Sequence, residues 1–256
     1  MAVDVTLWGA KFAENSIPSW PCPKCDHGRL LMSDKGLNII EPAYSEEAHS
    51  HEAWEPDWTT QRFSLLMKCS DKKCGEIVVV SGDTEIVEEP DDDDNGYGWT
   101  YVSHLRPQSI FPAPPIIVMP KETPDPVRKD IKLAFQLFWS DLGASASKLR
   151  TSVERLLDDF GIAKTRIDAK KKKRFFLSLA SRIDRFKNHK QKPTHSEILD
   201  ALRHVGNLGT HSDVDRQSVL AGFAIYEEAL AEIYGKRTKK AATLAKKIIK
   251  GKGKLK

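Results

Sequence analysis

Four cysteines are the clearest candidates for a chemical site in this chain of 256 residues. Cys22 and Cys25 flank a Pro-Lys dipeptide, and Cys69 and Cys74 form a second, wider pair in CSDKKCGE. Two such pairs, each presenting two thiolates from a tight turn, form the donor set that tetrahedral zinc takes. Because four thiolates leave no open coordination position, the pattern predicts a structural Zn²⁺ ion rather than a catalytic one.

Other uses of the cysteines stay open at this stage. They can be unrelated buried thiols, or Cys22 and Cys25 can form a redox pair. A redox motif of this spacing lies near a βαβ unit, whereas the residues after Cys25, DHGRLLMSDKG, are typical of a turn and a short strand. His27, His49 and His51 are possible substitute ligands.

A second candidate site lies in the segment SEILDALRHVGNLGTHSD. Helical residues rotate by about 100° each, so Arg203, Asn207 and His211 would fall within one arc of about 80°. A guanidinium, a carboxamide and an imidazole on one face can bind a phosphate and move protons. The plain alternative is an ordinary solvated helix face. Gly206 and Gly209 indicate a close approach or a helix end, because glycine costs about 1 kcal/mol relative to alanine in a helix.

The elements that position the cysteines are predicted to be strands. The apolar runs FSLLMKC and EIVVVSG lie on either side of the second cysteine pair. Half of the 14 prolines then cluster at 107–126. Proline lacks an N–H group and restricts the residue before it, so we expect this stretch to be an extended linker, neither a helix nor a central strand.

Beyond the linker, apolar residues recur at intervals of three and four, which predicts amphipathic helices. Five such stripes predict a helical bundle whose fourth helix carries the candidate polar face. The stripes are Ile131, Ala134, Phe135, Phe138 and Leu142; Leu149, Val153, Leu156, Leu157 and Phe160; Phe176, Leu179, Ala180 and Ile183; Ile198, Leu202 and Val205; and Val219, Phe223, Tyr226, Leu230 and Ile233.

The predicted fold class is therefore α+β. A small β-rich, zinc-ribbon-like module occupies 1–106, the proline-rich linker 107–126, an all-α bundle 127–235 and a basic tail 236–256.

The tail holds ten cations and no acid. Because the whole chain has a net charge of only +4, the rest of the chain is net acidic. Such a tail can be an amphipathic helix or a disordered, solvated segment, and its charge predicts salt-sensitive binding to polyanions: RNA, DNA or acidic lipid head groups. No apolar run approaches the roughly 20 residues of a membrane span, and the start is unlike a leader, so we expect a cytoplasmic protein.

Two motifs of the helical region resemble those of a known family. LRHVGNLGTH is similar to the signature of the domain of unknown function 4145, and SASKLRTSVERLLDDFGI is similar to that family's first motif. The resemblance covers roughly 126–234, and a cysteine-bearing N-terminal module is common in such proteins. The matching positions are Arg150, Glu154, Gly161, Arg203, Gly206, Asn207 and His211.

That family is similar to the HEPN superfamily of helical domains, many of which are metal-independent ribonucleases in toxins and phage defence. The resemblance implies attack of an RNA 2′-hydroxyl on the adjacent phosphate, with His211 moving protons, Arg203 stabilising charge and Asn207 orienting the reacting groups. It also implies a homodimer through the helical domain. The HEPN motif separates arginine from histidine by four to six residues, but here seven intervene. A non-catalytic nucleic-acid- or protein-binding module is therefore the preferred interpretation, and a HEPN-type endoribonuclease the alternative.

Overall fold

The computed structural model describes residues 5–91, 98–168, 172–188, 195–211, 214–235 and 237–250. The side chains of 5, 91, 209–211 and 237–240 lie outside this description. The chain divides into two units. The sheet unit comprises Asp4–Ile116 with Phe135–Asp141, and the C-terminal unit comprises Ile117–Ala134 with Leu142–Lys256.

The sheet unit contains a five-stranded antiparallel sheet in the order β1-β5-β4-β3-β2. The strands are β1 (Phe12–Ala13), β2 (Leu30–Ile40), β3 (Arg62–Cys69), β4 (Ile77–Asp91) and β5 (Gly98–Phe111). A short helix, α1 (Ala43–Ala48), and the 3-10 turns Val5–Trp8 and Pro56–Trp58 complete the unit. Buried and exposed residues alternate strictly along β3, and Cys69 ends the buried row. This alternation is the pattern of a strand with one face on a core.

An aromatic cluster forms the part of the sheet-unit core nearest the first cysteine pair. Trp20 is fully buried and its indole N–H donates to the carbonyl of Leu7 at 2.6 Å. Its ring centroid lies 5.7 Å from Phe12 and 5.3 Å from Trp139, both in edge-to-face geometry. Edge-to-face pairs align the positive ring edge with the negative face of the neighbour. The chain is thus anchored two residues before Cys22.

The stretch at 107–126, predicted to be an extended linker, begins within a strand. β5 runs through Pro107 and ends at Phe111. The β4–β5 register shifts beside Pro107, which pairs with Gly82, and β1 pairs with β5 only at His104 and Leu105. The missing N–H of proline is tolerated at such a bulge, where the outer edge is unpaired. The division at 107–126 itself stays a prediction.

The C-terminal unit contains the first part of α2, up to Ala134, and five further helices, α3 to α7. The helices are α2 (Asp125–Ser140), α3 (Leu142–Asp159), α4 (Leu179–Lys187), α5 (Ser196–His211), α6 (Arg216–Ile233) and α7 (Arg237–Lys250). Leu149, Val153, Leu156 and Leu157 of α3 are fully buried. Among the described residues, no helix combines the length and hydrophobicity that a bilayer crossing requires.

The prediction of an all-α C-terminal region is wrong. Two strands, β6 (Thr165–Ile167) and β7 (Arg174–Phe176), form an antiparallel hairpin between α3 and α4, so this region is mixed. Threonine, isoleucine and phenylalanine favour strands over helices, which accounts for the local structure. Phe176, assigned from sequence to a buried helical stripe, is 88% exposed on β7.

Candidate metal centre

Both cysteine pairs lie at one end of the sheet. Cys22 follows Pro21, which forms an isolated antiparallel bridge with Arg29 just before β2. Cys69 is the last residue of β3, and Cys74 lies in the turn that leads to β4. The pairing of β2 with β3 aligns this turn with the first one, because the N–H of Ser70 donates to the carbonyl of Arg29 at 2.8 Å. Sheet register therefore brings the two turns together.

The four sulfur atoms converge on a small volume. The Sγ atoms of Cys22 and Cys74 lie 3.8 Å apart, and those of Cys25 and Cys69 lie 3.6 Å apart. All four lie within 4.8 Å of one another. A tetrahedron with Zn–S bonds of about 2.3 Å has edges of about 3.8 Å, whereas a disulfide needs about 2.05 Å. The thiols are free cysteines, and the donor set fits a four-coordinate metal ion.

The backbone around the first turn supports this arrangement. The N–H of Lys24 points to Cys22 Sγ at 3.4 Å, and the N–H of Gly28 points to Cys25 Sγ at 3.3 Å. Such donors stabilise negative charge on a thiolate. Gly28 has no room for a side chain, because a Cβ there would clash with Cys69 Sγ and lie 2.9 Å from Cys25 Sγ. The absence of a side chain at position 28 is therefore a requirement of the cluster.

The thiols differ in how readily they lose a proton. Burial opposes ionisation of Cys25, but N–H donors of His27 and Gly28 and the neighbouring thiols lower its pKa to about 7. Burial and the other thiols raise the pKa of Cys69 to about 12. A metal ion must replace the remaining protons on binding, so metal affinity at such a site falls as the pH falls.

Of the three histidines considered as substitute ligands, only His27 lies near the cysteines. Its Nε2 is 2.9 Å from Asp71 Oδ2, and these two residues with Cys25 form a second possible donor set. Asp71 also accepts the N–H of Lys73, the main reason that its pKa lies below its usual value. A carboxylate–imidazole pair of this kind can brace a ligand turn from outside.

His49 and His51 lie beside tryptophans instead. Nε2 of His49 is 2.9 Å from Glu41, and its ring centroid is 4.6 Å from that of Trp54. The ring of His51 lies 5.6 Å from that of Trp58. Neither histidine belongs to a potential metal-binding group among the described residues.

The candidate polar face of α5 has Arg203 at its centre. The Nε of Arg203 donates to Asp200 Oδ1 at 2.7 Å, and its Nη2 lies 2.6 Å from Nε2 of His204. The bond from Arg203 is the main cause that holds the pKa of Asp200 below its usual value. Asn207 is half-buried on the same helix, and the side chain of His211 lies outside the described residues. The grouping of Arg203, Asn207 and His211 stays a prediction.

Gly206 marks a close approach between α5 and α3, one of the two explanations predicted for it. A Cβ at this position would meet Cβ of Arg150 and lie 3.0 Å from the carbonyl oxygen of Ala146. Arg150 in turn lies 3.6 Å from Glu154, one helical turn along α3. Gly206 and Arg150, two of the residues that carry the family resemblance, therefore meet at one packing contact between the helices.

The predicted basic tail is helical where it is described. Residues 236 and 251–256 lie outside the described part of the chain. Every described side chain of α7 is exposed, including apolar and basic groups: Leu244, Lys246, Lys247, Ile248, Ile249 and Lys250. The last turn carries Lys247 and Lys250, and the first turn carries no acid. The described part of α7 therefore presents apolar side chains and cations to solvent together.

A second basic segment escaped the sequence-based prediction. Seven of the eleven residues at 164–174 are lysine or arginine. The chain outside the tail is net acidic, so its total charge does not reveal this basic segment. A total charge adds up residues that lie far apart in the sequence. A charge count in a window of about ten residues is the signal that finds such a block.

Comparisons with known proteins give two matches. Residues 10–110 match a family described as Domain of unknown function (DUF8608). Residues 132–248 match one described as Domain of unknown function (DUF4145). None of the curated proteins matches, and no solved structure does. The second match confirms the resemblance predicted from the arginine, Gly-Asn and histidine motif, so the chain joins regions similar to two domains of unknown function.

Proposed function

We propose that this protein is a non-catalytic binding module for nucleic acid, stabilised by one zinc ion in a ribbon-like N-terminal turn cluster. Four thiolates would hold the ion, those of Cys22, Cys25, Cys69 and Cys74. When bound, the ion links the two turns through four metal–sulfur bonds. The soft thiolate set favours zinc over the harder divalent cations. No coordination position remains for a substrate.

The exposed basic helix α7 is the observation that carries the binding function. This helix has no acidic residue and exposes three lysines, Lys246, Lys247 and Lys250. A nucleic-acid phosphate backbone binds such cations and releases its own counterions as it does so. This interaction is independent of sequence and weakens steeply with salt. The partner class supported by this charge distribution is RNA or DNA.

Charge reversal on α7 tests this proposal. We expect Lys246→Glu with Lys247→Glu and Lys250→Glu to weaken binding to a single-stranded oligonucleotide. Loss of three phosphate contacts should reduce the slope of log K against log salt by about 2. Fluorescence anisotropy over a salt series measures both quantities. The matched control replaces the same three lysines by arginine and should bind like the natural chain; an unchanged slope in the glutamate variant would contradict the proposal.

The alternative function is a HEPN-like, metal-independent endoribonuclease acting as a homodimer through the C-terminal region. The observation in its favour is the contact between the Arg203 guanidinium and the His204 imidazole, beside Asp200. These groups place a fixed cation beside an imidazole, the side chain most often used in general acid–base catalysis. In this alternative Arg203, Asn207 and His211 would carry the reaction.

A cleavage assay separates the two functions. We expect no cleavage of labelled structured or single-stranded RNA in EDTA, because Arg203 is already paired with Asp200 and the motif spacing is longer than in active relatives. His211→Ala should therefore behave like the natural chain, as should the control His51→Ala. Cleavage by the natural chain that His211→Ala loses and His51→Ala keeps would replace our proposal by the ribonuclease.

A further inference from the structure

The β6–β7 hairpin displays several exposed cations and one carboxylate, that of Asp168 directly after β6. Four of its described cations are exposed and form no ion pair with another described residue: Arg166, Lys172, Lys173 and Arg174. Lys164, just before β6, pairs with Asp158 at 2.8 Å. Unpaired cations of this density on a short element attract an anionic partner.

The same hairpin exposes large apolar side chains. Phe176 is 88% exposed, Ile167 66% and Phe175 41%. Ile167 pairs with Arg174 and Thr165 with Phe176, and paired residues of an antiparallel ladder share a face. Arg174 and Phe176 therefore point to the same side, about 7 Å apart along the strand. An aromatic ring beside cations is the arrangement on which single-stranded bases stack.

A pocket of about 210 Å³ opens beside Phe176. Its lining includes three cations, Arg155, Lys164 and Arg182, which converge on the carboxylate of Asp158 at 3.7, 2.8 and 2.7 Å. A pocket below about 300 Å³ is too small to enclose a drug-sized ligand, but it has room for a phosphate group.

Arg182 is the buried group of this pocket. It is 4% exposed, and its Nη2 donates to Asp158 and to the carbonyl of Ile162 at 3.0 Å. Its Nε has no hydrogen-bond partner within the described part of the chain. A buried donor without a partner costs free energy that an incoming acceptor would recover.

Acidic side chains offset part of the positive charge of these cations. Burial opposes ionisation of Asp158, but hydrogen bonds from Lys164 and Arg182 keep its pKa below the usual value. The second acid of the lining, Glu154, lies beside Arg150, and Arg155 also approaches Asp130 at 3.4 Å. The described pocket lining therefore carries one more cation than it has acids.

We infer that the β6–β7 hairpin and this pocket form a binding site for single-stranded nucleic acid, in which the pocket takes a phosphate and Phe176 stacks against a base. The inference rests on the proposed nucleic-acid-binding function but uses a site distinct in sequence from α7. A duplex keeps its bases stacked inside, so the aromatic contact selects single strands. The tail supplies unspecific attraction, whereas the hairpin contacts the bases.

The test uses the full chain and short RNA and DNA oligonucleotides that carry one 2-aminopurine. Stacking of that base on an aromatic ring changes its fluorescence, which polyanion attraction alone does not. We expect Phe176→Ala to abolish the fluorescence change and to weaken binding about 5- to 100-fold. Phe175→Ala, on the opposite face, is the matched control and should keep the change. Circular dichroism of both variants should equal that of the natural chain, because Phe176 is exposed.

The outcomes separate this site from the tail. An unchanged fluorescence response in Phe176→Ala, or equal affinity for a single strand and its duplex, would overturn the inference. If the α7 glutamate variant loses binding while Phe176→Ala binds like the natural chain, the proposed function stands and the hairpin site fails. If the natural chain binds neither RNA nor DNA, both fail. A preference between the RNA and DNA oligonucleotides identifies the sugar that the site prefers.

Discussion

Chelation of zinc should unfold the cysteine end of the sheet unit. Four sulfur atoms from two turns converge within 4.8 Å, and a bound cation links the two turns through all four of them, whereas protonated thiols do not. Structural zinc binding contributes roughly 10–16 kcal/mol in zinc-finger peptides, against a net stability of about 5–15 kcal/mol for a typical domain. Loss of the ion should therefore exceed what the remaining contacts of this region can offset.

Tryptophan emission reports the transition. Trp20 is fully buried two residues before Cys22, so its emission should shift to longer wavelength as zinc leaves. Added zinc should restore the original spectrum, and added magnesium, the control, should not, because thiolates bind it weakly. An emission spectrum and β-sheet circular dichroism that stay unchanged after complete chelation would contradict a structural role for the metal.

Gly28→Ala should cause the second largest effect, which is a loss of zinc affinity. We expect a loss of at least about 10- to 100-fold, because changes to groups that orient metal ligands cost this much. The new Cβ would clash with Cys69 Sγ and lie 2.9 Å from Cys25 Sγ, so two of the four donors must move. Competition with a chromogenic chelator measures the affinity.

Gly9→Ala is the matched control for this substitution. A Cβ at position 9 meets only the carbonyl oxygen of Lys11, at 3.4 Å, which is an ordinary contact. This variant should bind zinc like the natural chain. Equal zinc affinity in Gly28→Ala and Gly9→Ala would show that the cluster tolerates a side chain at position 28, against the geometry described above.

The cysteine cluster was predictable because its determinants are local. Each pair lies in a turn, and strand-like segments flank the second pair. The wider Cys69–Cys74 spacing is accommodated by a turn in which Gly75 adopts a φ of +59° and its N–H donates to the carbonyl of Asp71. Sulfur convergence then follows from the pairing of β2 with β3. Gly28 was not predictable, since its role depends on a sulfur atom more than 40 residues away.

The hairpin between α3 and α4 was missed because apolar spacing alone cannot distinguish short elements. Phe176 lies three residues before Leu179, which imitates a helical stripe, but α4 begins only at Leu179 after its capping residue Ser178. The side chain of Ser178 accepts the N–H of Ser181 and so sets the helix start. The strand at Pro107 was missed for a related reason, because a bulge that tolerates proline depends on the neighbouring strand.

Elemental analysis of the chain, purified under reducing conditions without chelators, tests the central claim most directly. The account predicts about one zinc per chain, as one tetrahedral four-thiolate site requires. The Cys69→Ser variant should bind less, because it removes a buried donor. Less than about half an equivalent of zinc in the natural chain, or equal zinc in Cys69→Ser, would contradict the proposed metal centre.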